Sequence, residues 1–270
     1  MTELPEFRMH GFDQKFYALT DDNSSIPAHT THYINLMVEM TGGLQGLKIL
    51  DMGCGRGELV LALRLRGARA FGIEIDPRFV ESGKLLNDRY VDDYPVLSVL
   101  NSEGASVFPD GYFDFVFSDQ VLEHVAELES FAAEIARLLR PGGTTLHQFP
   151  ARRIVAEPHY QIPFAHWLPK NALRRQWIKL FLSAGYSKQY FPALGLDDRT
   201  SVIYKYSVEE TFYRRPSEIC VAFDRKGIVS EGLKASNIYI RRRFGFSNTS
   251  AAWLMRTFRN SFYSGTKSAS

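Results

Sequence analysis

The sequence predicts an α/β fold, a doubly wound and mostly parallel sheet with helices on both faces. Three observations carry that expectation. Between residues 47 and 150, short and nearly continuous apolar runs alternate with segments of helical period, as strands buried on both faces require. The first run ends in a glycine-rich turn, Asp51-Met52-Gly53-Cys54-Gly55-Arg56-Gly57, that opens a helix. An acidic residue, Glu74, then closes the second run 23 positions after Asp51, near the ~20-residue interval at which such sheets bind a ribose diol.

The elements follow in order. Leu47 to Met52 reads as a first strand, and Gly57 to Arg66 as a helix with Leu59 and Leu63 on one side. Ala68 to Ile75 is a second strand. Pro77 to Tyr90 is a helix with proline at a favoured first position. Pro95 to Leu100 and Phe113 to Ser118 are the third and fourth strands. Leu128 to Leu139 is a helix that Pro141-Gly142-Gly143 stops, and Thr144 to Phe149 is the fifth strand. Residues 151–200 lose this rhythm and become aromatic, basic and proline-punctuated, which reads as an insertion or lid. Pro216 to Lys226 resumes as a helix ended by Gly227, with a strand near Ile228 to Leu233. Ala251 to Phe262 reads as an amphipathic helix, and Ser264 to Ser270 as a frayed end. The expected units are an N-terminal cap (1–46), a cofactor core (47–150), a lid or substrate insertion (151–215), completion of the sheet (216–250) and a helical tail (251–270).

Composition bounds the class. The chain has 270 residues, 45% hydrophobic and 23% charged, as in a soluble globular protein. No run of ~18 apolar residues is long enough to span a bilayer. Its two cysteines, Cys54 and Cys220, make neither a disulfide framework nor a zinc motif, so a reducing cytoplasm is expected and no metal ligands are assigned. The net charge of +2 conceals an acidic first half and a basic second half, with 12 Lys/Arg against 22 Asp/Glu up to residue 150 and 20 against 8 after it. That asymmetry suits an anionic partner on one side, or the two halves neutralise each other in the fold.

The turn itself discriminates among nucleotides. Glycines let the backbone take left-handed conformations and approach a ligand closely. A dinucleotide fingerprint needs a third glycine at position 58, where this chain has Glu58, and an acid at a helix start repels a pyrophosphate. No Gly-Lys-Ser/Thr follows, which excludes a P-loop. A cationic, phosphate-free ligand fits the acids better.

Four segments then resemble one family. Leu50 to Gly57 looks like motif I of the class I S-adenosyl-L-methionine (SAM)-dependent methyltransferases, and Gly72-Ile73-Glu74-Ile75-Asp76 resembles their second-strand acidic motif. Phe113 to Val125 is similar to the fourth-strand segment of the type 11 and ubiquinone-methyltransferase-like groups, and Leu139-Arg140-Pro141-Gly142-Gly143 to their turn into strand five. The resemblance covers a little under half the chain. It implies a Rossmann-like, seven-stranded sheet and SAM as cofactor. It also implies that Asp51, Gly53, Cys54, Gly55 and Gly57 line the methionine part, that Glu74 binds the ribose hydroxyls and that Ile75 packs on adenine. Ser102 and Glu103 would lie near the adenine amino group, with Ser118 and Asp119 under the sulfonium.

The acceptor side is read from histidines, because a hydroxyl acceptor needs a base. His124 follows strand four, and His159 and His166 lie in the aromatic loop Glu157 to Pro169 after strand five. These are the candidate bases; the alternative for each is that it only bonds backbone. His147 is expected to be buried in strand five. Arg152-Arg153, Arg174-Arg175, Arg214-Arg215 and Arg241-Arg242-Arg243 suit phosphate, carboxylate or the opposite half of the protein. The expected activity is therefore O-methylation of a small-molecule, glycan-type or lipid-linked acceptor, including anionic ones. RNA or protein methylation and a non-catalytic SAM-binding scaffold are the alternatives, and no RNA-binding module supports the former.

Overall fold

The computed structural model describes residues 27, 29–101, 105–245 and 249–269. Its centre is a seven-stranded sheet in the order β3-β2-β1-β4-β5-β7-β6. The strands are β1 (Lys48–Met52), β2 (Arg69–Glu74), β3 (Leu97–Val99), β4 (Phe113–Asp119), β5 (Leu139–Pro150), β6 (Ile228–Ser230) and β7 (Asn260–Lys267). The pairings among β1 to β5 are parallel. β7 runs antiparallel between β5 and β6.

Helices cover both faces. On one side α1 (Thr30–Thr41), α2 (Glu58–Arg64) and α9 (Lys234–Phe244) pack Met37, Leu61, Leu63 and Ile238 onto Ile49, Phe115 and Phe117. On the other, α5 (Leu128–Leu138) and α8 (Pro216–Asp224) pack Ile135, Leu138 and Phe223 onto Leu50, Phe71 and Val116. The alternation of adjacent residues between the two cores explains why the strands read as unbroken apolar runs.

Several expectations are corrected. The helix expected over 77–90 is two short helices, α3 (Pro77–Ser82) and α4 (Leu85–Arg89). The break falls at Gly83, where a Cβ would lie 2.2 Å from the Arg56 carbonyl oxygen, so the chain is pinched against the glycine turn. Pro141-Gly142-Gly143 does not precede the fifth strand but bulges within it, since Phe113 pairs with Leu139 and Phe115 with Thr144. The region 151–200 is not without rhythm. It contains α6 (Ala172–Ser183) and the start of α7 (Leu196–Glu209), which pack around their own cluster of Tyr160, Ile162, Ile178, Leu182 and Ile203. Their period is hidden because polar residues occupy core positions, namely Arg174 in α6 and Thr200 and Ser207 in α7. Each finds an internal acceptor: Arg174 donates to the Ser207 carbonyl (2.8 Å), Thr200 to Leu196 O (2.7 Å) and Ser207 to Tyr204 O (2.8 Å). α9 was not anticipated either, as its β-branched Ile238 and Ile240 alternate as a strand would.

The largest correction concerns the C-terminus. The tail helix α10 ends at Phe258, and residues 260–267 are an interior strand rather than a frayed end. Phe262 faces one core and Tyr263 the other, both 1% exposed. Small Ser261 and Ser264 fill the positions between, which made the segment look like a polar tail.

Because β7 joins β5 to β6, Phe262→Ala should cost about 3–5 kcal/mol, the range for a buried aromatic truncated in a core, read as a lower urea midpoint. A variant ending at Arg259 should lose its cooperative unfolding transition. Retention of the full-length midpoint by that truncation would show that the strand is dispensable.

Candidate active site

The sheet places the site. From β1 the chain winds outward through β2 and β3, then returns to add β4 on the other side of β1. Above the carboxyl ends of β1 and β4 the connections diverge, and open sheets bind ligands in that crevice. The glycine turn sits there. Gly53 (φ +80°) faces Val121, whose Cγ2 would lie 2.4 Å from a Cβ, and Gly57 (φ +86°) similarly faces Leu86 at 2.6 Å. Gly55 (φ +54°) differs, because a Cβ there would meet open space. The first two glycines seat the turn, and the middle one leaves its outer side to a ligand. Cys54 is buried, and the sulfur rests where a Cβ on Gly72 would fall, 2.5 Å away. Burial raises the Cys54 thiol well above its ordinary range, so it is a packing residue and not a nucleophile.

Glu74 ties the turn to β2. Its carboxylate accepts from the Gly55 N–H (2.9 Å), the Ile75 N–H (2.7 Å) and the Asp76 N–H (3.3 Å). A carboxylate has about four lone-pair positions, so it can still receive a diol. Beside it the Ile75 side chain is 75% exposed, an apolar surface on which a planar base could lie. Ser102 and Glu103 lie outside the described residues.

Asp51 and Asp119 lie at the carboxyl ends of β1 and β4. Asp51 is 5% exposed. Burial, then repulsion from Asp119, Glu74 and Glu58, pushes its carboxyl well above the carboxylate range. Asp119 is also raised by burial, against the lowering pull of hydrogen bonds from Tyr33 and Gln120. A cation entering here would relieve both. The residues thus fit a ligand that is positive where SAM carries its sulfonium and ammonium and apolar or hydroxylated elsewhere. Tyr33 is a further residue of this site that the sequence did not single out. Its hydroxyl bonds Asp119, and its ring lies 5.0 Å from Phe117. A single aromatic in an apolar helix carries no signal that would have found it.

Ser118 is displaced from its expected role. The alternation of a strand turns it away from Asp119, and it is fully buried with its Oγ 2.7 Å from His147 Nδ1. Thr145 Oγ1 donates to the Val116 carbonyl (3.0 Å) and lies 2.6 Å from His147 Nε2. His147 therefore carries its proton on Nε2 and accepts from Ser118. Burial lowers its pKa to about 3, and the group is structural, as expected.

On the other side of the crevice, residues after β5 meet the segment after β4. Glu157 is fully buried, with Oε1 2.5 Å from His159 Nδ1 and also bonded by the Tyr213 hydroxyl. Its Oε2 accepts from the backbone N–H of His159 (2.7 Å) and Tyr160 (2.8 Å). Burial by itself would raise the Glu157 carboxyl, yet these bonds hold it below its ordinary range. His159 Nδ1 is thus a donor to Glu157, and Nε2 is left as the acceptor nitrogen. The His124 ring lies 5.0 Å from that of His159, and its own Nδ1 is 2.7 Å from the Glu210 carbonyl oxygen. His166 stands apart. Its Nε2 is 3.1 Å from the Arg152 carbonyl oxygen, its Nδ1 is buried with no hydrogen-bond partner among the described residues, and burial lowers its pKa to about 4. That places it as packing for Tyr213, 4.6 Å from ring to ring.

Sequence reading overlooked Glu157, Tyr213 and Glu123. Glu123 is 2% exposed, neither of its oxygens meets a partner group from another described residue, and burial raises it well above its ordinary range. Ligand atoms of Glu123, His124 and His159 lie within 4.8 Å of one another, so these three could hold a divalent cation although no metal ligands were expected. One member of each of two arginine pairs is also reassigned. Arg174 serves the carbonyls of Leu168 and Ser207, and Arg214 those of Leu122, Phe212, Val125 and Ala126, while Arg152 and Arg153 remain exposed near the end of β5.

Comparison with known proteins agrees with this geometry. A family described as "Methyltransferase domain" matches residues 50–146. Ubiquinone biosynthesis O-methyltransferase of Xanthomonas campestris is 34% identical over 167 residues, covering 56% of this chain and 69% of the relative. The enzyme of the same name from Chromobacterium violaceum is 30% identical over 147 residues, covering 53% and 62%. The chain thus spans only about three-fifths to two-thirds of these relatives. Among solved structures, an S-adenosylmethionine-dependent methyltransferase from Mesorhizobium loti aligns over 86% of this chain and 95% of its own (TM-score 0.51, 15% identity). Geranyl diphosphate methyltransferase in complex with geranyl diphosphate and sinefungin aligns over 88% and 77% (TM-score 0.52, 15% identity). At such identity these two share the fold alone.

The raised Asp51 sets a pH signature. A bound cation favours the ionised carboxylate, so SAM binding should release protons, and affinity should fall as pH drops below the raised Asp51 value. Calorimetry in two buffers of different ionisation enthalpy reads this directly; identical heats would refute it, and Asp51→Asn should reduce the difference. Glu74→Ala should weaken SAM about tenfold or more, the loss expected for a charge-assisted acceptor.

Proposed function

This chain belongs to the class I SAM-dependent methyltransferases of the ubiquinone-methyltransferase-like group, and we propose that it methylates a hydroxyl group of a small-molecule acceptor. The observation that carries this reading is the buried Glu157–His159 pair, 2.5 Å apart, facing the His124 side of the crevice. Bound SAM supplies an electrophilic methyl group. The protein has to hold the acceptor oxygen in line with it and remove the hydroxyl proton. His159 Nε2 takes that proton. The Glu157 carboxylate and the Tyr213 hydroxyl fix the ring and its tautomer, and the carboxylate stabilises the imidazolium that forms. The segment with its own core, residues 160–206, acts as the lid that keeps water from the pocket. The relatives' names specify O-methylation, which supports oxygen as the acceptor atom. An anionic group, such as the phosphate of a lipid-linked or glycan-type acceptor, would meet the exposed Arg152 and Arg153.

His159→Ala should lower kcat by about 10²-fold or more, the usual contribution of a general base, with SAM affinity unchanged. Glu157→Gln should lower kcat and move the pH profile, because the imidazolium loses its counter-charge. If instead His124→Ala carries the whole loss and His159→Ala is silent, His124 is the base. SAM binding with no turnover on any hydroxyl acceptor would return the chain to the scaffold reading.

A further inference from the structure

The C-terminal region carries a feature that neither the cofactor site nor the acceptor side uses. From Gly232 to Ser270 the sequence has seven Lys/Arg and no Asp/Glu. The positive charge in this stretch concentrates beside an exposed apolar face. α10 spans Thr249–Phe258. Ala252 is buried on its inner side, whereas Trp253 is 54%, Leu254 50% and Phe258 43% exposed. Leu254 and Phe258 are one turn apart, and Trp253 lies about 100° round the helix from Leu254, so the three spread over the exposed half of α10, opposite the buried Ala252. The neighbouring α9 ends in Arg241-Arg242-Arg243-Phe244, all exposed, with Phe244 at 54%. Glu39 faces this cluster from α1 and pairs with Arg241 and Arg242, so one carboxylate is shared by two of the three guanidiniums. Arg259 is exposed just beyond α10. A groove of about 450 Å³ bordered by Leu233, Thr249, Ser250, Trp253 and Leu254 runs beside these side chains.

We infer that this face docks the protein on an anionic lipid surface, with the α10 apolar residues set into the headgroup boundary and the arginines on lipid phosphates. The chemistry selects that partner. An amphipathic helix with Trp, Leu and Phe on one face and arginines at its flank lies in a bilayer interface, with its apolar side sunk about 5–10 Å. Tryptophan favours that boundary because one end of its ring is apolar and the other can hydrogen-bond. An aliphatic Leu254 at the centre of the face has no π-surface for a nucleic-acid base. The absence of acids over the whole stretch removes repulsion from a negative leaflet. Since the face belongs to α9 and α10, docking leaves the crevice above β1 and β4 to the cofactor, and it requires no methyl transfer.

The test is co-sedimentation of the full-length protein with vesicles of phosphatidylcholine alone or mixed with phosphatidylglycerol. Expected are binding to the mixed vesicles only, a blue shift of tryptophan emission, and weakening at high salt. Trp253→Ser with Leu254→Ser should abolish binding, and because both side chains are exposed the melting temperature should not fall. Arg243→Gln should weaken binding about fivefold, the equivalent of ~1 kcal/mol per cation near a charged leaflet. No binding to the mixed vesicles, or undiminished binding by the double variant, overturns the inference. So does single-stranded RNA that binds through the same arginines and displaces the vesicles, or a dimer in solution that the double variant dissolves.

Discussion

The crowding of carboxylates where β1 and β4 part is the constraint around which the rest of this protein is arranged. Asp119, Glu74 and Glu58 all bear on Asp51 there, and Asp51 and Asp119 are largely withdrawn from water. Isolated buried charges are costly, so the fold holds them by neighbours. Glu74 accepts three backbone N–H groups, Arg56 pairs with Glu58 at 2.5 Å, and Tyr33 reaches from α1 to Asp119. What those contacts do not neutralise is left for a cation. The glycine turn is shaped to the same end, with Gly53 and Gly57 closed against Val121 and Leu86 and Gly55 open.

The acceptor side obeys a different logic. Its residues come from segments far apart in the chain: Glu123 and His124 follow β4, Glu157 and His159 follow β5, and Tyr213 follows α7. Their meeting depends on the small helical unit between β5 and α8, whose helices are stapled by a buried arginine rather than by apolar residues alone. Arg174 and Arg214 spend their donors on backbone carbonyls, and so fix the segments that carry the histidines. A buried guanidinium with all its partners in place rigidifies its surroundings.

How much was legible follows from how local each signal is. β1 to β5, α2, α5 and α8 were visible because their apolar periods and glycine or proline punctuation belong to neighbouring residues. Glu74 was visible because its distance from Asp51 is fixed by one helix and two strands. Ser118 was misread because membership of a motif says nothing about which side of a strand faces the ligand. α6 and α7 were hidden by Arg174, Thr200 and Ser207 at core positions, and β7 by serines that pack between the two cores.

The sequence by itself determined the parallel core, the glycine turn, its acidic partners and therefore the cationic, phosphate-free character of the cofactor. All of these arise from contacts between residues close along the chain or separated by one regular unit. Only the tertiary structure decided that the last strand closes the sheet, that Ser118 bonds His147, and that Glu157 and Tyr213 hold His159. These are pairings between distant segments, and each depends on register, side-chain direction and burial, which become definite only when the whole chain has packed.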